Sequence, residues 1–280
     1  MEKTIVVTTL VENSVHARGL RAEHGLSFHL QVGSRSLLFD TGQSNLLLHN
    51  APKLRISLAD TDAIILSHGH NDHTGGLQAA HEAAPQARLF LHRAALSQKF
   101  VQNPDGTTRS IGMDEATAET IRRAAKAVVW TRQPTEVLDG IFVTGEIPRQ
   151  NPFEDTGGRF FLDAACARPD PLLDDQALFF DTTEGLVVLL GCAHSGVLNT
   201  LEHVRHLAAG RPIHTVLGGM HLHTASPERM EKTIAAFRRL DIQRLAPAHC
   251  TGLLALAQLW TAFPGRCSSC AVSTSMLFQR

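Results

Sequence analysis

Three histidines and one aspartate lie within six consecutive residues of the sequence SHGHNDHTGG, which covers residues 67–76. His68 and His70 are two residues apart, so in an extended segment their side chains point to the same side. Asp72 and His73 follow where the chain turns, and they can reach a second position nearby. Imidazole nitrogen and carboxylate oxygen are ligands that zinc, manganese and iron all accept. The spacing therefore predicts a metal site and leaves the metal open.

This segment directly follows a short apolar run, DAIILS at residues 62–67. A continuous apolar run of this length is typical of a strand that is buried on both faces. Thr74 is predicted to cap a helix through LQAAHEAA, which Pro85 follows. The ligand-rich segment is thus expected between the carboxyl end of a strand and a helix.

The same order of strand, histidine and helix recurs later in the chain. GLVVLLGC at residues 185–192 precedes His194, and RLAPAHC at residues 244–250 contains His249. Sites in open α/β sheets lie beyond the carboxyl ends of the strands. His194 and His249 are therefore expected to complete the ligand set that the first segment begins.

A further predicted strand, PIHTVLGGM at residues 212–220, ends at His221 and His223. A helix follows it, with Ser226 as N-cap and Pro227 at its first position. For His221, the roles of metal ligand, substrate contact and structural group all stay open. His223 is interpreted as a neighbour of the site or a surface residue.

The beginning of the chain is predicted to form strands of one sheet. TIVVTTLV at residues 4–11 is one, and LSFHLQV at residues 26–32 alternates apolar and polar side chains. Gly33 and Ser34 are expected to turn the chain into SLLFDTG at residues 36–42, which forms a hairpin.

The middle of the chain, residues 97–175, is less regular. One helix is predicted over residues 114–128, among loop-rich stretches such as VQNPDGTT. No clean linker borders this part. We interpret it as an insertion that covers the site within a single domain of residues 1–280.

Composition limits the functions that fit. The chain has 280 residues, 43% of them apolar, and a formal net charge of −1. This balance carries no electrostatic sign of nucleic-acid or membrane-surface binding. No secretory signal and no apolar run of about 18 residues is evident. The five scattered cysteines favour reduced thiols in the cytoplasm. A small-molecule substrate is expected, and the oligomeric state stays open.

The HGHNDH sequence at residues 68–73 resembles the signature of the metallo-β-lactamase superfamily. LFDTGQS (38–44), GCAHSG (191–196) and PAHCTG (247–252) follow in the order of that family, so the resemblance covers nearly the whole chain. It implies an α/β fold, the four-layer αββα sandwich. Two mixed sheets would pack face to face, with helices outside and the metals at one edge.

A narrower resemblance concerns one subgroup of this family. The combination of GEIPR (145–149), DDQAL (174–178), GCAHSGVLN (191–199) and GGMHL (218–222) is similar to the subgroup of the methanogen dihydropterin–ribofuranosylaminobenzene phosphate synthase. A synthase that forms a C–N bond in pterin biosynthesis is therefore one of the functions to consider.

The resemblance implies ligands for one or two divalent metals, with zinc first and manganese or iron as alternatives. The first set is His68, His70 and His194, and the second is Asp72, His73 and His249. Asp40, in the FDTG turn, matches an aspartate that orients a ligand imidazole by accepting its other N–H.

One departure from the family concerns the strand that ends in GGMHLH. Hydrolases of this fold usually have a bridging aspartate there, and this chain has none. His221 stands where the bridge is expected. The number of metals, one or two, is therefore open.

Cysteines and an arginine supply further candidates. Cys250, beside His249, is either a thiolate ligand or a small buried side chain. Cys267 and Cys270 form a lone CxxC, which lacks the two further ligands of a zinc site. Arg149, in GEIPR, is hypothesised to bind an anionic group, since its guanidinium suits phosphate and carboxylate.

The function expected from these patterns is metal-dependent hydrolysis of a small anionic molecule, such as a phosphoester. In that mechanism a metal-bound hydroxide attacks, the metals stabilise the developing charge, and Asp72 or His221 handles the proton. The alternatives are the pterin-pathway synthase, an iron-dependent oxidoreductase, and a metal-binding protein without turnover.

Overall fold

The computed structural model describes residues 4–280, which form sixteen strands and seven α-helices. The strands are β1 (Thr4–Val11), β2 (Ser27–Val32), β3 (Arg35–Phe39), β4 (Thr61–Ile65), β5 (Arg88–Leu91), β6 (Phe100–Gln102), β7 (Thr108–Ser110), β8 (Val128–Trp130), β9 (Thr135–Leu138), β10 (Ile141–Val143), β11 (Phe160–Phe161), β12 (Leu178–Thr182), β13 (Gly185–Leu190), β14 (Ile213–Gly219), β15 (Arg244–Ala248) and β16 (Ser275–Gln279). The helices are α1 (Leu46–Lys53), α2 (Asn71–Thr74), α3 (Leu77–Ala83), α4 (Glu115–Arg123), α5 (Val197–Leu207), α6 (Pro227–Arg239) and α7 (Leu253–Ala262).

The strands form two large mixed sheets and one small sheet. The first has the order β16-β1-β2-β3-β4-β5-β8, and the second β15-β14-β13-β12-β10-β9. From β3 to β8 the neighbours in the first sheet are parallel, as are β13, β14 and β15 in the second. The small sheet has the order β11-β6-β7.

Three hydrophobic clusters define four layers. The central cluster lies between the two large sheets and contains Phe39 from β3 and Leu189 from β13. A second cluster joins the outer face of the second sheet to α5, α6 and α7, with Leu201 at 0% exposure. The third joins the first sheet to α1, α3 and α4 through residues such as Leu77. The αββα sandwich is confirmed.

Most of the predicted elements are present. β1 pairs with β2, and β2 pairs with β3 as the expected hairpin. Ser226 caps α6, accepting a hydrogen bond of 3.2 Å from the backbone N–H of Arg229. No helix among residues 4–280 is long and apolar enough to cross a membrane.

Two local predictions were wrong. The helix expected over residues 114–128 ends at Arg123, because Val128–Trp130 pairs with β5 at the sheet edge instead. Thr74 does not cap α3. It ends the short helix α2, where its hydroxyl donates to the carbonyl of His70, and Gly76 precedes α3.

The predicted insertion contributes to all three sheets. β8 extends the first large sheet, while β9 and β10 extend the second. β6, β7 and β11 form the small sheet, and His70 makes an isolated bridge to Gly112 beside it. That residues 97–175 act as a cover within a single domain stays a prediction.

Candidate metal centre

The two large sheets present their strand ends at one edge of the sandwich. β4 leads to His68, β13 to His194, β14 to His221 and β15 to His249. The ring centroids of His68 and His194 are 4.8 Å apart, and those of His194 and His221 are 4.5 Å apart. The structure thus brings histidines from four separate strand ends into one cluster.

The backbone turns sharply where these side chains begin. Ala193, His221 and His249 have positive φ angles of 54°, 46° and 50°, and Asp40 after β3 has 62°. Left-handed backbone costs a non-glycine residue roughly 1–3 kcal/mol, and such strain concentrates at functional sites. Packing of the two sheets must therefore hold these turns in place.

His68 presents its Nε2 lone pair to the cluster. The hydroxyl of Ser67 donates to Asp40 Oδ2 at 2.6 Å and so accepts from His68 Nδ1 at 2.9 Å. His68 Nε2 lies 3.0 Å from His70 Nδ1, and His70 Nε2 has no hydrogen-bond partner in the described chain. His68 Nε2 and His70 Nδ1 therefore lie close enough to bind one metal ion together.

His194 is oriented in the same way. Its Nδ1 lies 2.8 Å from the carbonyl oxygen of Thr156, which can only accept, so Nδ1 donates. Its Nε2 consequently carries a lone pair, and this atom is buried without a partner among residues 4–280. A buried acceptor without a donor is costly, unless a cation or a bound molecule satisfies it.

Burial keeps these histidines uncharged. It is the largest cause that lowers the pKa values of His68, His70 and His194, and that of His70 falls to about 3. Neutral imidazole is the form that binds a metal.

His73 is held by a buried carboxylate. Its Nδ1 lies 2.7 Å from Asp40 Oδ2, and both side chains have 0% exposure. Burial lowers the pKa of His73, but the charges of Asp40 and Asp72 outweigh this and raise it to about 9. Its Nε2 lies 3.1 Å from the sulfur of Cys192.

Asp72 is surrounded by imidazoles. Its Oδ2 lies 3.2 Å from His249 Nε2, 3.1 Å from His24 Nε2 and 3.9 Å from His73 Nε2. Burial raises the pKa of this carboxyl, but the neighbouring histidines outweigh it and hold the pKa well below its ordinary value. His249 Nδ1 is fixed by Asn13 Oδ1 at 2.8 Å.

His221 and Cys250 complete the cluster. His221 Nε2 donates to the carbonyl of Gly157 at 3.1 Å, and its buried Nδ1 has no hydrogen-bond partner among the residues described. Burial lowers the pKa of His221, but the negative charge of Cys250 raises it overall. Burial raises the pKa of Cys250, but Cys192 and His221 together lower it well below the usual thiol value.

The donor atoms fit a metal centre. Within the described part of the chain, four groups of three histidine, cysteine or acidic side chains have ligand atoms within 4.8 Å of one another. These groups are His68, Cys192 and His194; His73, Cys192 and His249; Cys192, His221 and Cys250; and His24, Asp72 and His249. Nitrogen, sulfur and carboxylate donors of this kind suit zinc and its first-row neighbours.

A cavity of about 480 Å³ opens onto the cluster. Phe160 from β11 and Gly157 line it on one side, with Gln43 and Asn71 among its polar residues. Arg109 from β7 is the only lysine or arginine that lines it within residues 4–280. The small sheet therefore brings both an aromatic ring and a positive charge to the mouth of the site.

Arg149 does not line this cavity. It borders a different cavity, together with Ser195 and His203. His223 does line the site, and its Nδ1 lies 3.2 Å from the carbonyl oxygen of Cys250.

Cys267 and Cys270 belong to none of the candidate groups in the described chain. Cys267 packs against the helical cluster of the second sheet. The sulfur of Cys270 lies 3.3 Å from the hydroxyl of Thr9, and burial raises its pKa to about 12.

Sequence reasoning missed three residues of the cluster. Cys192 lies two residues before His194, the same spacing that singled out His68 and His70, and this signal could have found it. His24 and Asn13 lie in an irregular stretch after β1, where no local pattern marks them.

With this geometry established, comparisons define the family. The model of the metallo-beta-lactamase superfamily matches residues 21–89. The 7,8-dihydropterin-6-methyl-4-(beta-D-ribofuranosyl)-aminobenzene-5'-phosphate synthase of Methanocaldococcus jannaschii is 30% identical over 244 residues, which are 84% of this chain and 83% of that protein. The chain belongs to the metallo-β-lactamase superfamily.

Solved structures agree with this assignment. Tm1679, a metal-dependent hydrolase of the beta-lactamase superfamily, is 31% identical, with a TM-score of 0.80 over 97% of this chain and 98% of that chain. The Zn²⁺-bound PqqB of Methylobacterium extorquens has a TM-score of 0.58 over 97% and 99% of the two chains. At 14% identity, PqqB shares the fold alone.

Proposed function

We propose that the protein is a metal-dependent hydrolase of a small anionic substrate, with a phosphoester as the best candidate. One observation carries the proposal. Buried ring nitrogens without partners, on His70 and His194, lie at a cavity whose lining includes the cation Arg109. The similarity to Tm1679 supports the hydrolase class.

The residues that would hold the metals are the two predicted sets. The first is His68, His70 and His194, and the second is Asp72, His73 and His249. A bound divalent metal supplies Lewis acidity, which lowers the pKa of a coordinated water and attracts developing negative charge. Asp40, Ser67 and Asn13 keep the ligand rings oriented through the hydrogen bonds described above.

The remaining residues of the cavity act on the substrate. The guanidinium of Arg109 binds the anionic group at the mouth, since it can donate two parallel hydrogen bonds to phosphate oxygens. The ring of Phe160 packs against the apolar part of the substrate. His221 Nδ1, which has no hydrogen-bond partner in the described chain, holds or transfers a proton at the reacting group.

A second candidate is the C–N bond-forming synthase of the pterin pathway. The named synthase of Methanocaldococcus jannaschii matches 84% of this chain, and this similarity favours it. A phosphorylated pterin substrate is also anionic and has a flat ring, so the same cavity could accept it. The chemistry of the products distinguishes the two functions.

The first experiment is elemental analysis of protein purified without added metal, for wild type and His221→Ala. We expect about two equivalents of zinc or manganese in both. A loss of metal in the variant would show that His221 is a ligand. A single equivalent in wild type would contradict a centre with two metals. Predominant iron would support the oxidoreductase alternative, which oxygen uptake would then test.

Activity is measured next on p-nitrophenyl phosphoesters and on a dihydropterin pyrophosphate with its arylamine acceptor. Hydrolysis without the acceptor supports the hydrolase. Release of pyrophosphate only when the acceptor is present, together with a new C–N product, would contradict the hydrolase and support the synthase. Turnover of neither, with metal bound, would favour the non-catalytic metal-binding protein.

We also propose that the protein works in the cytoplasm. All five cysteines are free, as expected in a reducing compartment. Cell fractionation tests this, and recovery outside the cytoplasmic fraction would contradict it.

A further inference from the structure

Cys192 occupies the centre of the ligand cluster. It follows β13 by two residues, has 2% exposure and borders the cavity. Its sulfur lies 3.1 Å from His73 Nε2, the nitrogen that His73 turns away from Asp40. The sulfur therefore points at the atoms that would bind metal, rather than into the apolar core.

The sulfur of Cys192 is shared by two histidine pairs. It groups with His68 and His194 on one side, and with His73 and His249 on the other, with all ligand atoms within 4.8 Å in each group. No other residue of the described chain belongs to both of these groups. Independently, the Nε2 of His194 is buried without a hydrogen-bond partner among residues 4–280, as expected of an atom that binds a metal.

No carboxylate takes this central position. Asp72 is the only acidic residue that lines the cavity within residues 4–280, and it contacts His249 and His24 on one side. The strand end that usually carries a bridging carboxylate in this fold has His221 instead. In a centre with two metals, a thiolate between the two histidine pairs would supply the negative charge that a bridging carboxylate supplies elsewhere in this fold.

The geometry points to Cys192 as a metal ligand shared by both positions, in place of the carboxylate bridge. This inference rests on the metal centre of the proposed function, but not on hydrolysis. Cysteine binds a metal as thiolate, so the thiol proton leaves to solvent when the metal enters and a sulfur–metal bond replaces the S–H bond. A thiolate at the shared position favours zinc or cobalt over manganese and magnesium.

A glycine allows the backbone segments that carry Cys192 and Cys250 to lie close together. Gly219, at the end of β14, packs so closely that an added Cβ would lie 2.7 Å from Cys250 Sγ and 3.3 Å from the Cα of Cys192. Only glycine allows the two cysteine-bearing loops to approach each other here. Cys250 is absent from both histidine pairs but groups with Cys192 and His221, so it is the competing sulfur ligand that the test must distinguish from Cys192.

The test is spectroscopy on cobalt-substituted full-length protein, for wild type, Cys192→Ser and Cys250→Ser. We expect a sulfur-to-cobalt charge-transfer band in wild type and in Cys250→Ser, and none in Cys192→Ser. Because a shared ligand serves both positions, we also expect the second cobalt to bind at least about tenfold more weakly in Cys192→Ser. Equal retention of the band in both variants, or its loss only in Cys250→Ser, would overturn the assignment.

X-ray absorption of the zinc-loaded wild type needs no variant and guards against misfolding. One sulfur at about 2.3 Å from each zinc is expected. A shell of nitrogen and oxygen alone would refute the sulfur ligand, even if phosphoester hydrolysis were observed. Conversely, a sulfur ligand in wild type that is lost in Cys192→Ser, without any turnover, would uphold this inference and count against the proposed function, so the two failures are distinguishable.

Discussion

The carboxylate of Asp174 accepts a hydrogen bond of 2.7 Å from the backbone N–H of Gly69, inside the HGHNDH sequence. Its other oxygen lies 2.9 Å from Nζ of Lys99, which also contacts Asp170 at 2.8 Å. All of these side chains are buried. A buried ion pair from the middle of the chain thus holds the backbone that carries the first histidines.

Replacing Lys99 by methionine should destabilise the fold by about 3–5 kcal/mol, because it leaves two carboxylates buried without their cation. Denaturant unfolding of the metal-free protein measures this. The double variant Lys99→Met with Asp174→Asn should lose less than the sum of the single variants, since the two residues interact directly. Strict additivity would contradict the network.

Asp40 connects the two halves of the cluster. It accepts hydrogen bonds from the backbone N–H and hydroxyl of Ser67, both at 2.6 Å, and from His73 Nδ1 at 2.7 Å. Asp40→Asn should weaken metal binding about 10–100-fold, because the amide no longer favours the His73 tautomer that turns Nε2 inward. Competition with a chromophoric chelator measures the affinity. An affinity equal to that of wild type would remove Asp40 from its predicted orienting role.

The histidines that follow the strands could be predicted from the sequence, because each buried strand is a short apolar run that the histidine closely follows. An apolar run marks β13, and the histidine after it marks the edge of the sheet. The same reasoning placed His221 and His249 in the cluster, where the structure has them.

The rest depends on contacts between distant parts of the chain. The spacing from His194 could mark Cys192, but its contact with His73 spans 119 residues, and the contact of Asn13 with His249 spans 236. Such contacts arise only when the two sheets pack, and no periodicity predicts which polar residues will meet. The same reason explains why Arg109, on a short strand of a small sheet, reaches the cavity while Arg149 does not.

The positions of Arg109 and Arg149 therefore lead to opposite predictions for substrate binding. Arg109→Ala should raise KM for an anionic phosphoester about 10–100-fold, because it removes charge-assisted hydrogen bonds worth about 1.5–3 kcal/mol. Arg149→Ala should leave KM close to that of wild type. Steady-state kinetics with metal-saturated enzyme tests both. The reverse pattern would restore Arg149 as the anion-binding residue and exclude Arg109.

Acid sensitivity should have a source outside the metal cluster. His29, in β2, has 4% exposure, and burial lowers its pKa from 6.5 to about 4. Since the folded state has the lower pKa, the unfolded chain binds more protons below pH 6.5. The stability contributed by neutral His29 is therefore fully present above that pH and falls between pH 6.5 and about 4.

On acidification from pH 7 to pH 5, the lowered pKa of His29 should reduce the free energy of unfolding by about 2 kcal/mol. His29→Gln should be less stable at pH 7, because the side chain packs in a buried position, but should lose less stability on acidification than wild type. Denaturant unfolding at both pH values, at the same metal loading, measures the difference. The exposed His16→Gln is the control and should keep the wild-type pH dependence. If His29→Gln also keeps the wild-type pH dependence of stability, the acid sensitivity arises from the histidines of the metal cluster.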